Sequence, residues 1–407
     1  MDNIMNVIPA MLSGEELDRA LEILPVYDEE IGDKSAAERL VALSDMYSIY
    51  VPNQMSREIY SKLYLAFLRS MQKKQTKLAT QQYYENHKAV KGQVYNSIIG
   101  GSDSFTVIGM SGVGKSSAVS RVMELLSEAP TIELQDPYQK ILPAVVVQTP
   151  FDSSVKGLLL EILRVVDERL ETKYYSNALR ARATTDMLIG SVSQVALSHI
   201  GLLVVDEIQH VVSNKHGKGL VSCLVQLINN SGISICMVGT PECEEFFSQA
   251  MQLARRSIGL KYYPMKYGEE FCQFCETVFR YQYVKHRTEL TDAIIHWLYE
   301  HSQGNLSIVV TLLHDAQEKA IITGNEIVDM NVLEDVYRER MGLLHEYIAP
   351  KRRSQTSKVK AEQSVLDETE DVSDAISIVT LVTRAKNESR DILGLLRRHI
   401  KVEGVSI

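Results

Sequence analysis

The chain has 407 residues, 45% hydrophobic and 23% charged, with a formal net charge of −9. That size and balance predict two or three folded domains of ordinary soluble composition, and the lack of a run of about eighteen apolar residues excludes a membrane-spanning helix. The start (Met1-Asp2-Asn3-Ile4-Met5) lacks the basic and apolar parts of a signal peptide, and five irregularly spaced cysteines make no disulfide framework, so a reducing cytoplasm is expected.

Residues 1–91 read as a helical extension standing apart from the rest of the chain. Glu15–Leu24 carries Leu17, Ala20, Leu21 and Leu24 at helical spacing. Ser35 and Glu38 form a capping-box pattern, and after Pro52 Ser56 caps a helix with Ile59, Leu63, Phe67 and Met71 on one face. The polar run 72–91 is an exposed helix or a linker. Tyr47, Tyr50, Tyr60, Tyr64, Tyr83 and Tyr84 suit either a partner interface or packing among these helices.

Residues 92–265 alternate strand and helix patterns, with strands expected at 105–108, 144–148, 202–205, 233–238 and 260–263. The near-continuous apolar runs of the third and fourth predict parallel strands buried on both faces, hence a parallel three-layer α/β core with ligands at the strands' carboxyl ends. After the first strand comes Gly109-Met-Ser-Gly-Val-Gly-Lys-Ser116, which fits G-x-x-x-x-G-K-[ST]. Glycines let successive backbone N–H groups turn inward as an anion nest, and the following helix adds its positive end. Gly109, Ser111, Gly112, Val113, Gly114, Lys115, Ser116 and Ser117 are the expected nucleotide-binding residues. Lys115 would reach the β- and γ-phosphates of ATP, and the Ser116 hydroxyl would ligate Mg²⁺.

The run Leu202–Val205 ends in Asp206-Glu207. Asp206 would hold the Mg²⁺ shell and Glu207 would polarise the attacking water, a carboxylate a small-molecule kinase does not need. Thr240, at the end of the fourth strand, would touch the γ-phosphate and that water. Arg255 and Arg256 would stabilise phosphoryl charge from a neighbouring subunit, or merely end a helix favourably.

Residues 266–348 lose the strand signals and read as four helices, with Thr291 as an N-cap and Gly304 and Gly324 as stops. Cys272-Gln-Phe-Cys275 reads as core thiols on an apolar helix rather than half a zinc site. Residues 349–407 pass from a basic to an acidic polar stretch, read as a flexible tail, with a short amphipathic helix over 389–400.

Together these pieces resemble the AAA+ ATPases over roughly residues 92–345. The neighbours Val205-Asp-Glu-Ile-Gln-His210, Val238-Gly-Thr-Pro-Glu242 and Leu253-Ala-Arg-Arg256 resemble the TnsC/TniB type, the ATP-dependent regulators of Tn7-like transposition. The resemblance implies an AAA+ P-loop core with a helical lid and a homo-oligomer, as ring or filament, on double-stranded DNA. It implies partners in a target-selecting protein and the transposase, and disassembly on ATP hydrolysis. It places DNA contacts at Lys156, Lys173, Arg180, Arg182 and Thr184. Many such lids carry a sensing arginine three residues after a glycine, where Gly304-Asn-Leu-Ser307 has serine. The alternative is a signalling or defence-type P-loop switch that binds protein effectors without DNA.

Overall fold

The computed structural model describes residues 7–101, 104–135, 138–213, 217–244 and 259–342, all within the compact unit Met1–Leu344. The tail, the 389–400 helix and Arg255-Arg256 lie outside the described residues. Elements run α1 (Gly14–Leu21), α2 (Ala36–Ala42), α3 (Gln54–Lys74), α4 (Lys77–Val90), β1 (Ser104–Gly109), α5 (Lys115–Leu126), β2 (Ile132–Gln135) and β3 (Tyr138–Gln148). Then follow α6 (Val155–Leu170), α7 (Tyr174–Arg180), α8 (Thr185–His199), β4 (Ile200–Asp206), α9 (His210–Ser213), α10 (Gly217–Ser231), β5 (Ser234–Gly239) and β6 (Leu260–Tyr262). Four helices close the described chain: α11 (Glu269–Phe279), α12 (Asp292–Ser302), α13 (Leu306–Thr323) and α14 (Met330–Arg340). Among the described residues no helix is long and apolar enough to cross a membrane.

The six strands form one sheet in the order β2-β3-β4-β5-β1-β6. β3, β4, β5, β1 and β6 are mutually parallel, as the apolar runs predict. The sheet is mixed, however, because β2 pairs antiparallel with the first half of β3. Pro143 hides that extension in the sequence: it has no N–H for a ladder and breaks the strand pattern just before Ala144. Alternation explains the unbroken apolar run of β4. Leu203 and Val205 join the core under α6, α8 and α10, while Leu202 and Val204 join the core on the opposite face.

That opposite face is covered by α5 and by the N-terminal helices. Although its sequence suggests a separate unit, the N-terminal segment packs on the α/β core, because the sheet needs it. Ile59, Leu63, Phe67 and Met71 of α3 are buried against Val107, Leu202 and Val204. Phe67 lies so close to β4 that a Cβ on Gly201 would sit 2.6 Å from its ring. The start of α3 also corrects the sequence reading. Asn53 is the N-cap, and Ser56 is its reciprocal partner three residues on. Ser35 and Glu38 do form their capping box, and Thr291 does cap α12. Tyr60 and Tyr64 are buried, with hydroxyls bonded to Leu12 N–H and the Pro9 carbonyl, whereas Tyr47 and Tyr84 are exposed.

The same segment is fastened to the C-terminal helices. Arg39, 1% exposed, donates to both carboxylate oxygens of Glu326 at 2.5 and 2.6 Å and to the Tyr283 carbonyl at 3.1 Å. The guanidinium holds the Glu326 carboxyl below its ordinary range. Tyr27 packs edge-on against Tyr281 and Tyr283, and its hydroxyl donates to the Gln282 carbonyl. One continuous stretch therefore clamps the lid through residues 25–50 and the sheet through α3. Cys275 is buried and Cys272 half-buried, and both are free thiols.

α3 ends at Lys74, a buried amine that donates to the Ala196 and Leu197 carbonyls of α8 at 2.6 and 2.8 Å. Burial pushes it from an ordinary 10.5 down to about 7. The neutral amine still has two N–H donors, enough for both carbonyls. Between about 7 and 10.5 the unfolded chain binds the proton and the folded chain does not. Stability therefore rises with pH across that window and gains nothing from this group below it. Urea denaturation at pH 6.5 and 9.5 should show the wild type gaining more stability at the higher pH than Lys74→Met; equal gains would reject the assignment.

Candidate nucleotide site

The strand order builds the site. β5 lies between β4 and β1, so the loop after β1, the Asp206-Glu207 pair after β4 and Thr240 after β5 meet at one end of the sheet. The 109–116 loop turns through two left-handed residues, Gly112 at φ +80° and Gly114 at φ +96°. α5 begins directly at Lys115, with its first backbone N–H groups turned to the loop.

Lys115 is 8% exposed, and its ammonium donates to the Met110 carbonyl at 2.8 Å. Burial pushes it below its ordinary value, while Asp206 and Glu207 pull partly the other way. Asp206 Oδ1 accepts the Glu207 N–H at 2.8 Å, and the Gln209 side-chain amide donates to Glu207 Oε2. Thr240 Oγ1 is buried with no hydrogen-bond partner among the described residues. These groups surround a cavity of about 190 Å³, lined by Ser111, Gly112, Gly114, Lys115, Ser116, Ser117, Asp206, Glu207, Gln209, Gly239, Thr240 and Ser307. Val113, buried, instead lines a neighbouring cavity of about 260 Å³. That second space is walled by Ile49, Tyr50, Val51 and Met55 on one side and by Phe274, Leu306 and Val310 on the other.

The donor set fits a magnesium–triphosphate. An anion nest, a helix N-terminus, a buried ammonium and an orphan hydroxyl face one space, with Ser116 and Asp206 supplying hard oxygens. Ser116, Asp206 and Glu207 all line this cavity.

Two contributors were hidden in the sequence. Asn305 caps α13, and its side-chain amide also donates to the Ser111 carbonyl at 3.0 Å, while Ser307 N–H donates to the Gly112 carbonyl at 3.3 Å. The lid thus docks on the phosphate loop. A Cβ on Gly112 would lie 2.6 Å from Asn305 Oδ1 and 2.8 Å from Ser307 Oγ, so this glycine is needed for approach as well as for φ. In sequence Asn305 reads as an ordinary helix cap. Gln209 is the other, and a glutamine two residues after Glu207 carries no signal of its own.

The five candidate DNA-contacting residues lie along α6, α7 and the start of α8. All five are exposed. Arg180, Arg182 and Thr184 gather at the start of α8, and Lys156 lies in the first turn of α6, at the carboxyl end of the strands. Lys173 is the N-cap residue of α7, and the next residue, Tyr174, bonds His199 at 3.0 Å. The seven residues of α7 separate Lys173 from Arg180, about 10 Å. Thr184 is already engaged as the N-cap of α8, accepting Met187 N–H at 3.4 Å.

A family model for an AAA domain (AAA_22) matches residues 99–247. No curated protein matches the chain. Among solved structures, the chain is similar to the Aeropyrum pernix Orc1 protein in complex with DNA, at 12% identity and TM-score 0.41, covering 79% of this chain and 82% of that one. It is similar to a point variant of Thermotoga maritima RuvB at 12% identity and TM-score 0.35, covering 80% and 86%. Domain III of the Thermotoga maritima replication initiation protein DnaA gives 14% identity and TM-score 0.35, covering 68% and 94%. The matched segment contains the phosphate loop, the Asp206-Glu207 pair and Thr240, so residues 99–247 are an AAA-type P-loop ATPase domain, set in a chain with the AAA+ P-loop fold.

Proposed function

We propose that the chain binds and hydrolyses Mg²⁺-ATP and acts as a DNA-transposition regulator of the TnsC/TniB type. The observation that carries the first half is the shared cavity, where the phosphate loop, Asp206, Glu207 and the unpartnered Thr240 hydroxyl converge under the lid residue Ser307. Lys115 and the loop amides bind the phosphates, and Thr240 orients the γ-phosphate. Ser116 and Asp206 would hold magnesium, which would supply charge neutralisation for the phosphates. Glu207 takes the proton of the attacking water. The apolar space between Tyr50, Met55, Leu306 and Val310 takes the base.

The second half rests on the sequence resemblance, with two supporting observations. Among the described residues Lys115 is the one cation lining the phosphate cavity, which suits completion by Arg255 or Arg256 of a neighbouring copy. Lys156, Arg180 and Arg182 are exposed and make no ion pair among the described residues, which suits salt-sensitive, sequence-independent phosphate contacts. In this reading ATP-bound protomers coat a duplex, the N-terminal segment meets the target selector, the 349–407 tail meets the transposase, and hydrolysis dismantles the coat.

Filter binding of duplex DNA with and without a non-hydrolysable ATP analogue tests it. Analogue-dependent retention is expected. Lys156→Glu with Arg182→Glu should lower it at least tenfold, the scale of losing two phosphate contacts, with nucleotide affinity unchanged. Indifference to DNA would favour the effector-binding switch instead.

A further inference from the structure

A further cavity lies away from the nucleotide. It measures about 380 Å³, the size of a small-molecule pocket, and is walled by α4, α7, α8 and the start of β3 over the end of α3. Its wall includes His199, the residue before β4 begins, whereas the phosphate cavity includes Asp206, the residue at which β4 ends. The length of that strand, about 20 Å, keeps the two spaces apart.

Exposure grades from floor to mouth. Lys74 is 5% exposed, while the rings of Tyr83, Tyr84 and Tyr138 are 41%, 64% and 59% exposed. Tyr83 and Tyr84 meet edge to face with centroids 6.0 Å apart. His199 Nδ1 lies 2.8 Å from the Lys140 carbonyl, which places the ring proton there, and Nε2 accepts the Tyr174 hydroxyl at 3.0 Å. Both nitrogens are therefore engaged by a neutral imidazole, which burial holds below its ordinary pKa. Among the described residues no carboxylate lines the cavity. Glu133 reaches only its outer edge, through the Tyr138 hydroxyl at 3.4 Å.

The amine at the floor lacks a counter-charge. An ammonium has three N–H donors, and the Ala196 and Leu197 carbonyls take two. Those carbonyls lie in the last turn of α8, whose dipole offsets part of a positive charge. Burial alone sets the pKa of Lys74, with no acidic neighbour to oppose it. A buried cation is costly until an anion pairs with it. A carboxylate supplies both the third acceptor and the opposite charge, and a flat ring behind it fits the tyrosine faces.

We propose that this cavity binds a small aromatic carboxylate, with its anionic end on Lys74 and its ring against Tyr84 and Tyr138. The ligand selects the charged amine, so binding takes up a proton wherever the empty site has lost it. Lys74 loses that proton at about 7. Of the other lining groups, tyrosine as a class ionises near about 10, and His199 is already neutral.

Titration calorimetry of the full chain with 2-naphthoate and its uncharged isostere 2-naphthamide, at pH 6.5 and 8.5, is the test. At pH 6.5 naphthoate should bind at least about tenfold more tightly than naphthamide, the scale of one charge-assisted hydrogen bond. Its affinity should fall about tenfold by pH 8.5. Saturation with a non-hydrolysable ATP analogue should change it less than about twofold. Lys74→Met should abolish both the preference and the pH dependence, and Tyr84→Ala, at an exposed ring, should weaken both ligands alike by about fivefold. No naphthoate binding, naphthoate bound no better than naphthamide, affinity flat with pH, or displacement by the ATP analogue would each overturn the site. All four are read on the wild type, so they decide the proposal whether or not Lys74→Met folds.

Discussion

Glu207→Gln should cut ATP hydrolysis by about a thousandfold, within the range that a positioned general base contributes, and leave nucleotide binding intact. The two halves of that expectation come from different contacts. Binding draws on the nest amides, Lys115 and the lid, none of which uses the Glu207 side chain. The chemical step needs a carboxylate that can accept a proton, and an amide cannot. The substitution is also mild structurally: Glu207 is half-buried, and Gln209 can bond an amide oxygen as it does a carboxylate. The variant should hold ATP for many times the normal turnover. If nucleotide-stabilised assembly on a duplex exists, it should persist there. A burst of released phosphate at the wild-type rate would remove Glu207 from its role.

Lys115→Ala should weaken ATP binding by at least a hundredfold, because two charge-assisted phosphate contacts are lost from a site where burial strengthens them. The fold should survive. Among the described contacts the Lys115 ammonium makes one hydrogen bond, to Met110 O in its own loop, and its depressed pKa marks a charge that burial penalises. Without nucleotide the variant should therefore melt no lower than wild type. The stabilisation that ATP gives the wild type, which grows with ligand concentration over Kd, should be absent. Titration calorimetry and thermal melts separate the two effects. Wild-type affinity in the variant would show that the loop is not the phosphate site.

Local chemistry explains how much of this was legible. The phosphate loop is written in the sequence because its geometry permits few residues. Gly112 and Gly114 must adopt positive φ, and Lys115 must open the helix. β4 and β5 were legible because strands buried on both faces leave no polar alternation to confuse them. The lid's contribution was not legible, since Asn305 caps its helix and touches Ser111 with the same side chain, and only the second act concerns the site. Likewise Phe67 and its neighbours announce an amphipathic helix without saying which surface it covers. Gly201, the residue that admits Phe67, lies far along the chain in a strand. The absent lid arginine looks like a defect in sequence, but in space Ser307 reaches the loop through its backbone N–H. The β2–β3 hairpin was lost to Pro143, which reads as a break although β3 runs through it.

In the proposed reading, one cavity, made by the 109–116 loop, β4, β5 and the lid, is where ATP binds and is cleaved. A structure of the full chain with Mg²⁺ and a slowly hydrolysed ATP analogue decides it. The β- and γ-phosphates are predicted on the loop amides and Lys115, with the γ-phosphate within hydrogen-bond reach of Thr240 and the base between Tyr50 and Leu306. A nucleotide lodged elsewhere, or phosphates that leave Lys115 and Thr240 untouched, would contradict the account.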